Sequence, residues 1–330
     1  MGLETTPAGS YPKIGDTTEE QKLRRALHQL DKNEITDEDL EQIQNEVTEE
    51  VIREQIDAGV DIVTDGSIRW KDPITYLVEK MFGFEITGLI RYFDTNTFYR
   101  HPIAESRVEA VKPLLVDDFK FAQSKSTKPV KAVITGPYTI AKLCRNQFYR
   151  EFKQFAFDLA HIIHREAQAL EEAGCQYLQF DEPAILQHKE ELPLFLKIYE
   201  IVTAQLTKSE KTLLLNFGNL EGIYPKILNV QVERIGLELT KGHKNWEVLK
   251  TAPFTKKMMA GMVNARNTKM ESPEETLQAL HELGEHVNTD QLWISPSHSL
   301  EFLPRSNAKK KLEFLAQIAK QLKGAGVSHE

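Results

Sequence analysis

Two adjacent carboxylic acids close a short apolar run in the middle of this chain. Residues 178–183 read Leu-Gln-Phe-Asp-Glu-Pro, so Asp181 and Glu182 end the run and Pro183 breaks it. Carboxylates in such a position can take a proton, bind an ammonium group or ligate a metal ion. In a parallel α/β barrel the residues at the ends of the strands carry the chemistry. We therefore predict that Asp181 and Glu182 are catalytic residues.

Other apolar, β-prone runs also end in polar residues. These residues are Ser10, Asp65, Ser67, Thr135, Gly136, Pro137, Asn216, Glu238, Asn264, Arg266, Ser297 and His298. Each of them could instead cap the helix that follows it. Capping does not account for Glu238 and His298, so we expect a polar ring that binds a small-molecule substrate.

The elements that would position this ring alternate along the whole chain. Helical spacing of apolar residues is found at 151–173, 193–207, 273–287 and 307–323. Eight candidate strands lie between such helices, at 5–11, 61–65, 130–135, 176–181, 212–216, 234–238, 258–264 and 292–295. This order predicts one (β/α)8 TIM barrel over residues 1–330. A doubly wound sheet is the alternative, but the chain has no G-x-G-x-x-G phosphate loop.

Two stretches exceed a minimal barrel. Residues 18–59 read as helical and form an extension near the amino terminus. Residues 82–112 are rich in aromatic and β-prone residues, which predicts a hairpin-like insertion. The insertion either covers one mouth of the barrel or only packs against its side.

Composition narrows the class of partner. The chain has 330 residues, 41% of them hydrophobic, and a formal net charge of −8. Its charges are mixed, which argues against nucleic acid or an anionic membrane surface as a partner. The start of the chain lacks the order of a signal peptide, so we expect a cytoplasmic protein. Cys144 and Cys175 lie outside any metal-binding motif and are expected to be buried apolar residues.

Several segments together carry a family resemblance. They are residues 9–15 (Gly-Ser-Tyr-Pro-Lys-Ile-Gly), 23–27 (Leu-Arg-Arg-Ala-Leu), 91–96 (Arg-Tyr-Phe-Asp-Thr-Asn), 181–184 (Asp-Glu-Pro-Ala), 216–219 (Asn-Phe-Gly-Asn) and 292–300 (Leu-Trp-Ile-Ser-Pro-Ser-His-Ser-Leu). The chain resembles the cobalamin-independent methionine synthase superfamily, and most of all the amino-terminal barrel of the two-barrel enzyme. The likeness runs from about residue 8 to 323.

The resemblance implies a fold and a reaction. The family has a (β/α)8 barrel and moves a methyl group from a methyltetrahydrofolate polyglutamate to the sulfur of homocysteine. Zinc activates that sulfur by binding it as a thiolate, since the thiolate is the nucleophile.

The family's zinc ligands are only partly present. The positions of its His-x-Cys pair are Asn216 and Gly218, and the position of its later Cys is His298. Glu238 alone matches outright. The resemblance thus implies an incomplete metal site of Glu238 and His298, and zinc in this chain is doubtful.

The substrate positions are better matched. The resemblance assigns homocysteine binding to Asp181 and to the backbone of Gly9 and Ser10, whereas the position of a second acidic residue is Ser67. For the anionic folate tail it assigns Arg24 and Arg91, with Gln21 at a third position. Lys13, Asp94 and Asn96 lie in the same matching segments and complete the predicted substrate-binding set.

Three hypotheses follow. The first is a methyltransferase of the methionine synthase type that works with a partner chain carrying an intact His-x-Cys zinc site. The alternative is a non-catalytic folate- or donor-binding subunit of a split methionine synthase. A decarboxylase-like barrel of the related porphyrin family is the third, and Arg266 is its only support.

Overall fold

A computed structural model describes residues 3–326 of the chain. Its strands are β1 (Glu4–Thr5), β2 (Phe82–Arg91), β3 (Phe98–Glu109), β4 (Lys131–Thr135), β5 (Arg145–Asn146), β6 (Tyr177–Asp181), β7 (Glu210–Leu215), β8 (Arg234–Glu238), β9 (Lys257–Val263) and β10 (Trp293–Pro296). Its helices are α1 (Lys22–Asp31), α2 (Asp37–Asp57), α3 (Thr75–Val78), α4 (Val116–Ser124), α5 (Pro137–Leu143), α6 (Phe152–Glu172), α7 (Leu192–Val202), α8 (Asn245–Leu249), α9 (Pro273–Gly284) and α10 (Arg305–Gly326).

Seven parallel strands form a curled sheet in the order β1-β10-β9-β8-β7-β6-β4. The segment around Val63 closes the gap between β1 and β4. The backbone N–H groups of Asp61 and Ile62 donate to the Thr5 carbonyl at 3.1 Å each, and Val63 bridges in parallel to Val130. This arrangement confirms the predicted (β/α)8 barrel.

Two of the eight predicted strands are shorter than expected. The first ends at Thr5 instead of residue 11, because Pro7 has no N–H to donate to a neighbouring strand. The second, predicted at 61–65, is reduced to the bridge at Val63. The shortened first strand leaves residues 7–10 as a loop over the barrel mouth.

The predicted helices are present with shifted ends. The helix predicted at 193–207 ends at Val202, since Gln205 has a φ of 60° that a right-handed helix cannot accommodate. Ser272 caps α9 by accepting from the Glu275 N–H at 3.3 Å. No helix in residues 3–326 is long and apolar enough to cross a membrane.

Both expected additions to the barrel are found. The segment 18–59 contains α1 and α2, and α2 begins with a reciprocal capping box between Thr36 and Asp39. The segment 82–112 forms an antiparallel hairpin of β2 and β3, which β5 extends to three strands. Cys144 and Cys175 are buried and free, in agreement with the sequence analysis.

A buried ion network closes the amino-terminal end of the barrel. Arg234, at the start of β8, donates to Glu210 Oε1 at 3.0 and 2.7 Å and lies 3.7 Å from the Trp293 ring centroid. Lys257 Nζ donates to Glu210 Oε2 at 2.6 Å, and Trp293 Nε1 donates to Glu4 Oε2 at 2.7 Å. Each of these five residues opens a strand, so the network fills this end with paired charge.

Candidate active site

Asp181 lies at the carboxyl end of β6 and faces the barrel interior. Side chains alternate along a strand, so Tyr177, Gln179 and Asp181 share this inner face. Gln179 Nε2 donates to Asp181 Oδ1 at 2.7 Å. Burial raises the pKa of Asp181 to about 7, against the opposing effects of the Gln179 hydrogen bond and the positive charge of Lys131. Asp181 is therefore a carboxyl group that can exchange its proton near neutral pH.

Glu182 faces the opposite way, into the helix layer. Its carboxylate accepts from the backbone N–H groups of Tyr138 and Thr139 at 3.0 and 2.7 Å. It also accepts from the Thr139 hydroxyl at 2.6 Å and the Tyr199 hydroxyl at 3.3 Å. Four donors occupy this buried carboxylate at the amino terminus of α5. The geometry gives Glu182 a capping role and separates it from the mouth, contrary to the sequence-based prediction that both acids act together.

The loop of Gly9 and Ser10 borders Asp181. A Cβ atom at Gly9 would lie 3.9 Å from Asp181 Oδ2 and 3.1 Å from Ser299 Oγ. The Ser10 N–H donates to Ser299 Oγ at 3.2 Å, and the Ser10 carbonyl accepts from the Leu300 N–H at 3.0 Å. The loop after β10 thus holds the Gly9–Ser10 backbone next to the carboxylate.

The tip of the β2–β3 hairpin covers the mouth. Tyr92 is buried there, with its ring centroid 4.8 Å from that of Phe93 and 6.0 Å from that of Phe217. Burial raises the pKa of Tyr92, and the negative charges of Asp181 and Glu301 raise it further. The insertion therefore covers the mouth, which was one of its two predicted roles.

The predicted anion-binding residues are spread over separate elements. Arg91 Nε donates to the Thr95 carbonyl at 2.5 Å, and its guanidinium lies 3.4 Å from Asp94 Oδ1. Arg91, Asp94 and Asn96 are exposed at the hairpin tip, whereas Arg24 is exposed on α1.

Lys13 has a different environment from these arginines. It donates to the Trp70 carbonyl and is partly buried. Burial lowers the pKa of Lys13, and the nearby carboxylates of Glu301, Asp72 and Asp65 oppose that shift. Lys13 therefore lies among acids at the mouth and does not join the exposed cations.

The positions that resemble zinc ligands do not form a ligand set. Glu238 Oε2 lies 3.7 Å from His243 Nε2, and the Thr240 hydroxyl donates to Glu238 Oε1 at 3.3 Å. Over residues 3–326, one trio of His, Cys, Asp or Glu side chains has its ligand atoms within 4.8 Å of one another, and it is His188, Glu190 and Glu191. That trio includes neither Glu238 nor His298, so the predicted pair is not preassembled with a third such ligand.

His298 lies in an aromatic and cationic environment. Its Nδ1 pairs with the Ser299 carbonyl at 3.0 Å, while Nε2 is buried without a partner. The ring lies between Phe217 and Phe302, at centroid distances of 5.2 and 5.3 Å. Burial and, to a smaller extent, the positive charge of Arg266 lower the pKa of His298 to about 4, against the opposing effect of the hydrogen bond to Ser299. A nearby guanidinium disfavours a bound dication, so these residues do not fit the zinc site of the resembling family.

The two remaining ligand positions are also altered. The side-chain oxygen of Asn216 is buried without a partner, and an amide is a poor zinc ligand. At Gly218 a Cβ atom would lie 2.7 Å from Leu186 Cβ, so no cysteine fits there while Leu186 keeps its place.

Several residues near Glu238 and inside the barrel below Asp181 were not predicted from the sequence. His243 follows Glu238 across a loop that contains Gly242 at a φ of 79°, and nothing in the sequence places it beside Glu238. Gln179 and Lys131 had a usable signal, because each is a polar residue in a strand that is otherwise buried.

Comparison with known proteins identifies relatives over nearly the whole chain. Residues 3–321 match the family described as cobalamin-independent synthase, catalytic domain. A methionine synthase of Sulfurisphaera tokodaii is 34% identical over 314 residues, which cover 94% of this chain and 89% of that protein. A methionine synthase of Saccharolobus solfataricus is 33% identical over 333 residues, which cover 99% and 98%. Both relatives are therefore about as long as this chain.

A solved structure shows the same fold. It is a B12-independent methionine synthase from Shewanella sp. W3-18-1 in complex with selenomethionine, with a TM-score of 0.86 and 23% sequence identity. The alignment covers 99% of this chain and 100% of that one.

Proposed function

Because the chain belongs to the cobalamin-independent methionine synthase family, we propose that it is a methyltransferase that acts on the sulfur of homocysteine. The observation that carries this proposal is the buried carboxyl group of Asp181 beside the Gly9–Ser10 loop at the carboxyl end of the barrel. The homocysteine thiol gives up its proton, a new sulfur–carbon bond forms as the nitrogen–carbon bond of the methyl donor breaks, and the donor nitrogen takes up a proton.

Asp181 is the group that binds the amino acid. When ionised, it offers an oxygen to the substrate ammonium group at the edge of a largely apolar interior, where such a charge-assisted hydrogen bond is strong. The absence of a side chain at Gly9 leaves the approach to Asp181 Oδ2 open. Glu182 supports this site from behind by fixing α5, so its role is structural and not catalytic.

The proposed methyl donor is a methyltetrahydrofolate polyglutamate. Arg91 is exposed at the hairpin tip and Arg24 is exposed on α1, so both can meet an anionic tail from solvent. Asp94 orients Arg91, since the two side chains form an ion pair at 3.4 Å, and Asn96 lies on the same turn. Lys13 contributes positive charge closer to the acids of the mouth.

This chain lacks the His-x-Cys pair of zinc ligands that the family uses to activate the homocysteine thiol. With Asn216 and Gly218 in place of the His-x-Cys pair, and with Arg266 near His298, we derive no step through zinc in this barrel. We propose that a partner chain with an intact His-x-Cys site supplies the thiolate chemistry. Relatives of about the same length as this chain are named methionine synthase. The proposed need for a partner chain therefore rests on the altered ligand positions and not on the length of the chain.

The packing of Phe217 favours a second candidate function. Phe217 stacks on Phe93 of the hairpin tip with ring centroids 5.7 Å apart, and the guanidinium of Arg266 lies 5.3 Å from the centroid of the Phe217 ring. The lost ligand segment thus serves to dock the hairpin. On this reading the chain is a non-catalytic folate- or donor-binding subunit of a split methionine synthase.

One experiment separates these functions. The purified chain is assayed for methionine formation from homocysteine and methyltetrahydrofolate triglutamate, alone and with a barrel that carries the intact zinc site, and its zinc content is measured. The proposed enzyme gives little product and substoichiometric zinc alone, and gains activity with the partner. Asp181→Asn in this chain abolishes the gain.

Two results would decide otherwise. A gain that survives Asp181→Asn supports the binding subunit, because the amino acid then reacts at the partner's site. Stoichiometric zinc together with full activity of the chain alone contradicts the need for a partner.

A further inference from the structure

Lys131 is a buried amine inside the barrel. It is 1% exposed, and its ammonium donates to the Pro7 carbonyl at 2.8 Å. Its other described polar contact is a distant one, to Met259 Sδ at 3.9 Å. A buried ammonium with one strong hydrogen bond is costly to maintain, which indicates that the charge or the hydrogen bond has a use.

Gln179 lies between Lys131 and Asp181. It is fully buried, and its Nε2 donates both to the Ala8 carbonyl and to Asp181 Oδ1 at 2.7 Å. One amide thus ties the substrate-binding loop to the carboxylate. Its Oε1 is buried without a partner, so the hydrogen bonds of this side chain are the two that its Nε2 donates.

The contacts follow the chain in order. Lys131 holds Pro7, Gln179 holds Ala8, and Asp181 borders Gly9. We call Lys131, Gln179 and Asp181 the inner ladder. The three side chains lie one above another along the inside of the barrel. They therefore contact three consecutive residues of the loop that follows β1.

We propose that Lys131 and Gln179 are positioning residues, which hold the loop of residues 7–10 against Asp181 and keep that carboxylate in its ionised, substrate-binding form. This inference deepens the proposed function and rests on it for the identity of the ligand. The expected effect on the ionisation of Asp181 does not depend on the proposed function, because it is a property of the protein without ligand.

The charges around the inner ladder agree with this role. Burial lowers the pKa of Lys131 to about 7, while the carboxylate of Asp181 raises it and the guanidinium of Arg234 lowers it. Asp65 lines the same small cavity as Lys131, with a volume of about 10 Å³. Burial raises the pKa of Asp65 to about 6. Removing the lysine charge leaves Asp181 with less compensation for its own burial, so its proton is held more tightly.

The test reads the ionisation of Asp181 directly. Protein labelled with ¹³C at aspartate carboxyl carbons is titrated by NMR, and Asp181→Asn identifies the signal. Lys131→Met should move the midpoint of Asp181 upward by about 1 pH unit, and Gln179→Met should move it in the same direction. Thr212→Val is the matched control, because Thr212 pairs with Gln179 in register and its buried hydroxyl has no partner.

Binding of methionine is measured by calorimetry on the same variants. At pH 7 the affinity should fall about 10-fold in Lys131→Met and recover as the pH is raised, whereas Thr212→Val should bind as the wild type does. Folding of each variant is checked by circular dichroism. If Lys131→Met does not fold, Gln179→Met, which keeps Lys131, tests the inner ladder in its place.

The outcomes are distinguishable. A midpoint of Asp181 that is unchanged in the folded variants overturns the inner ladder. A shifted midpoint with methionine affinity that depends on neither Lys131 nor Asp181 leaves the ladder standing and overturns the amino-acid site of the proposed function.

Discussion

A Cβ atom at position 136 would lie 2.2 Å from Glu182 Oε1, so Gly136 and Glu182 fit together only because residue 136 has no side chain. This close approach lets the buried carboxylate reach the first N–H groups of α5, where a helix favours negative charge. The Asp-Glu-Pro turn therefore has two faces, one for the substrate and one for the fold.

The two acids of this turn should respond differently to substitution. Glu182→Ala leaves two backbone N–H groups and two hydroxyls without their acceptor and should destabilise the protein by about 3 kcal/mol. Asp181→Asn keeps the shape of the side chain and should leave the protein folded but unable to bind methionine. Urea unfolding and calorimetry check both; loss of binding with unchanged stability in Glu182→Ala would refute the assignment.

The pH dependence of stability should reveal Asp181. Its pKa rises from an ordinary 3.8 to about 7 on folding, so the unfolded chain ionises first. Stability is unaffected below pH 4, falls as the pH rises from 4 to 7, and is constant above. Asp181 is partly accessible from the mouth, which limits the penalty to about 1–2 kcal/mol.

Asp181→Asn removes the loss of stability that accompanies ionisation of Asp181. The variant should therefore gain stability relative to the wild type between pH 5 and pH 8, in urea unfolding at both values. A difference between the two proteins that stays the same at both pH values would show that the carboxyl group is not perturbed.

Restoring the lost ligands should not by itself create a zinc site. Asn216→His with Gly218→Cys places a side chain against Leu186, because the new Cβ would lie 2.7 Å from that of Leu186. Adding Leu186→Ala makes room. We expect more zinc per chain by metal analysis in the triple variant than in the double variant, with Leu186→Ala alone as the control. Full zinc occupancy in the double variant would contradict the steric argument.

Arg91 should contribute to affinity for the donor's tail. Arg91→Ala should weaken binding of methyltetrahydrofolate triglutamate by about 1 kcal/mol. The loss should be larger at low salt, because the ion pair between Arg91 and the glutamate tail would be exposed to solvent. The monoglutamate should be affected less. Arg53→Ala, an exposed arginine on α2 that pairs with Glu49, serves as the control. Equal affinities of wild type and Arg91→Ala in calorimetry would remove Arg91 from the site.

Much of the fold could be predicted from the sequence, because each strand and helix has its own periodic pattern. The same periodicity explains one miss. Neighbouring residues of a strand point to opposite faces, so Asp181 and Glu182 could not both face the mouth. Applying that rule would have assigned Glu182 to the helix layer.

Other features depend on contacts between distant segments. The pairing of His243 with Glu238 is set by the path of the loop between them, and that of Gln179 with the Ala8 carbonyl by barrel closure. Neither has a local pattern. The orientation of Arg266 toward the ring of Phe217 is likewise set by packing. The polar residues at the strand ends, in contrast, could be identified from the sequence.

The network of Arg234, Glu210 and Trp293 fills the end of the barrel that lies opposite the mouth. The paired charges that close this end are therefore separate from the residues that surround Asp181 at the mouth. Residues at the mouth, including those at positions 216, 218 and 298 that resemble zinc-ligand positions, can change without disturbing the paired charges that close the other end. A barrel built in this way can vary at the residues of its mouth and still remain a folded scaffold.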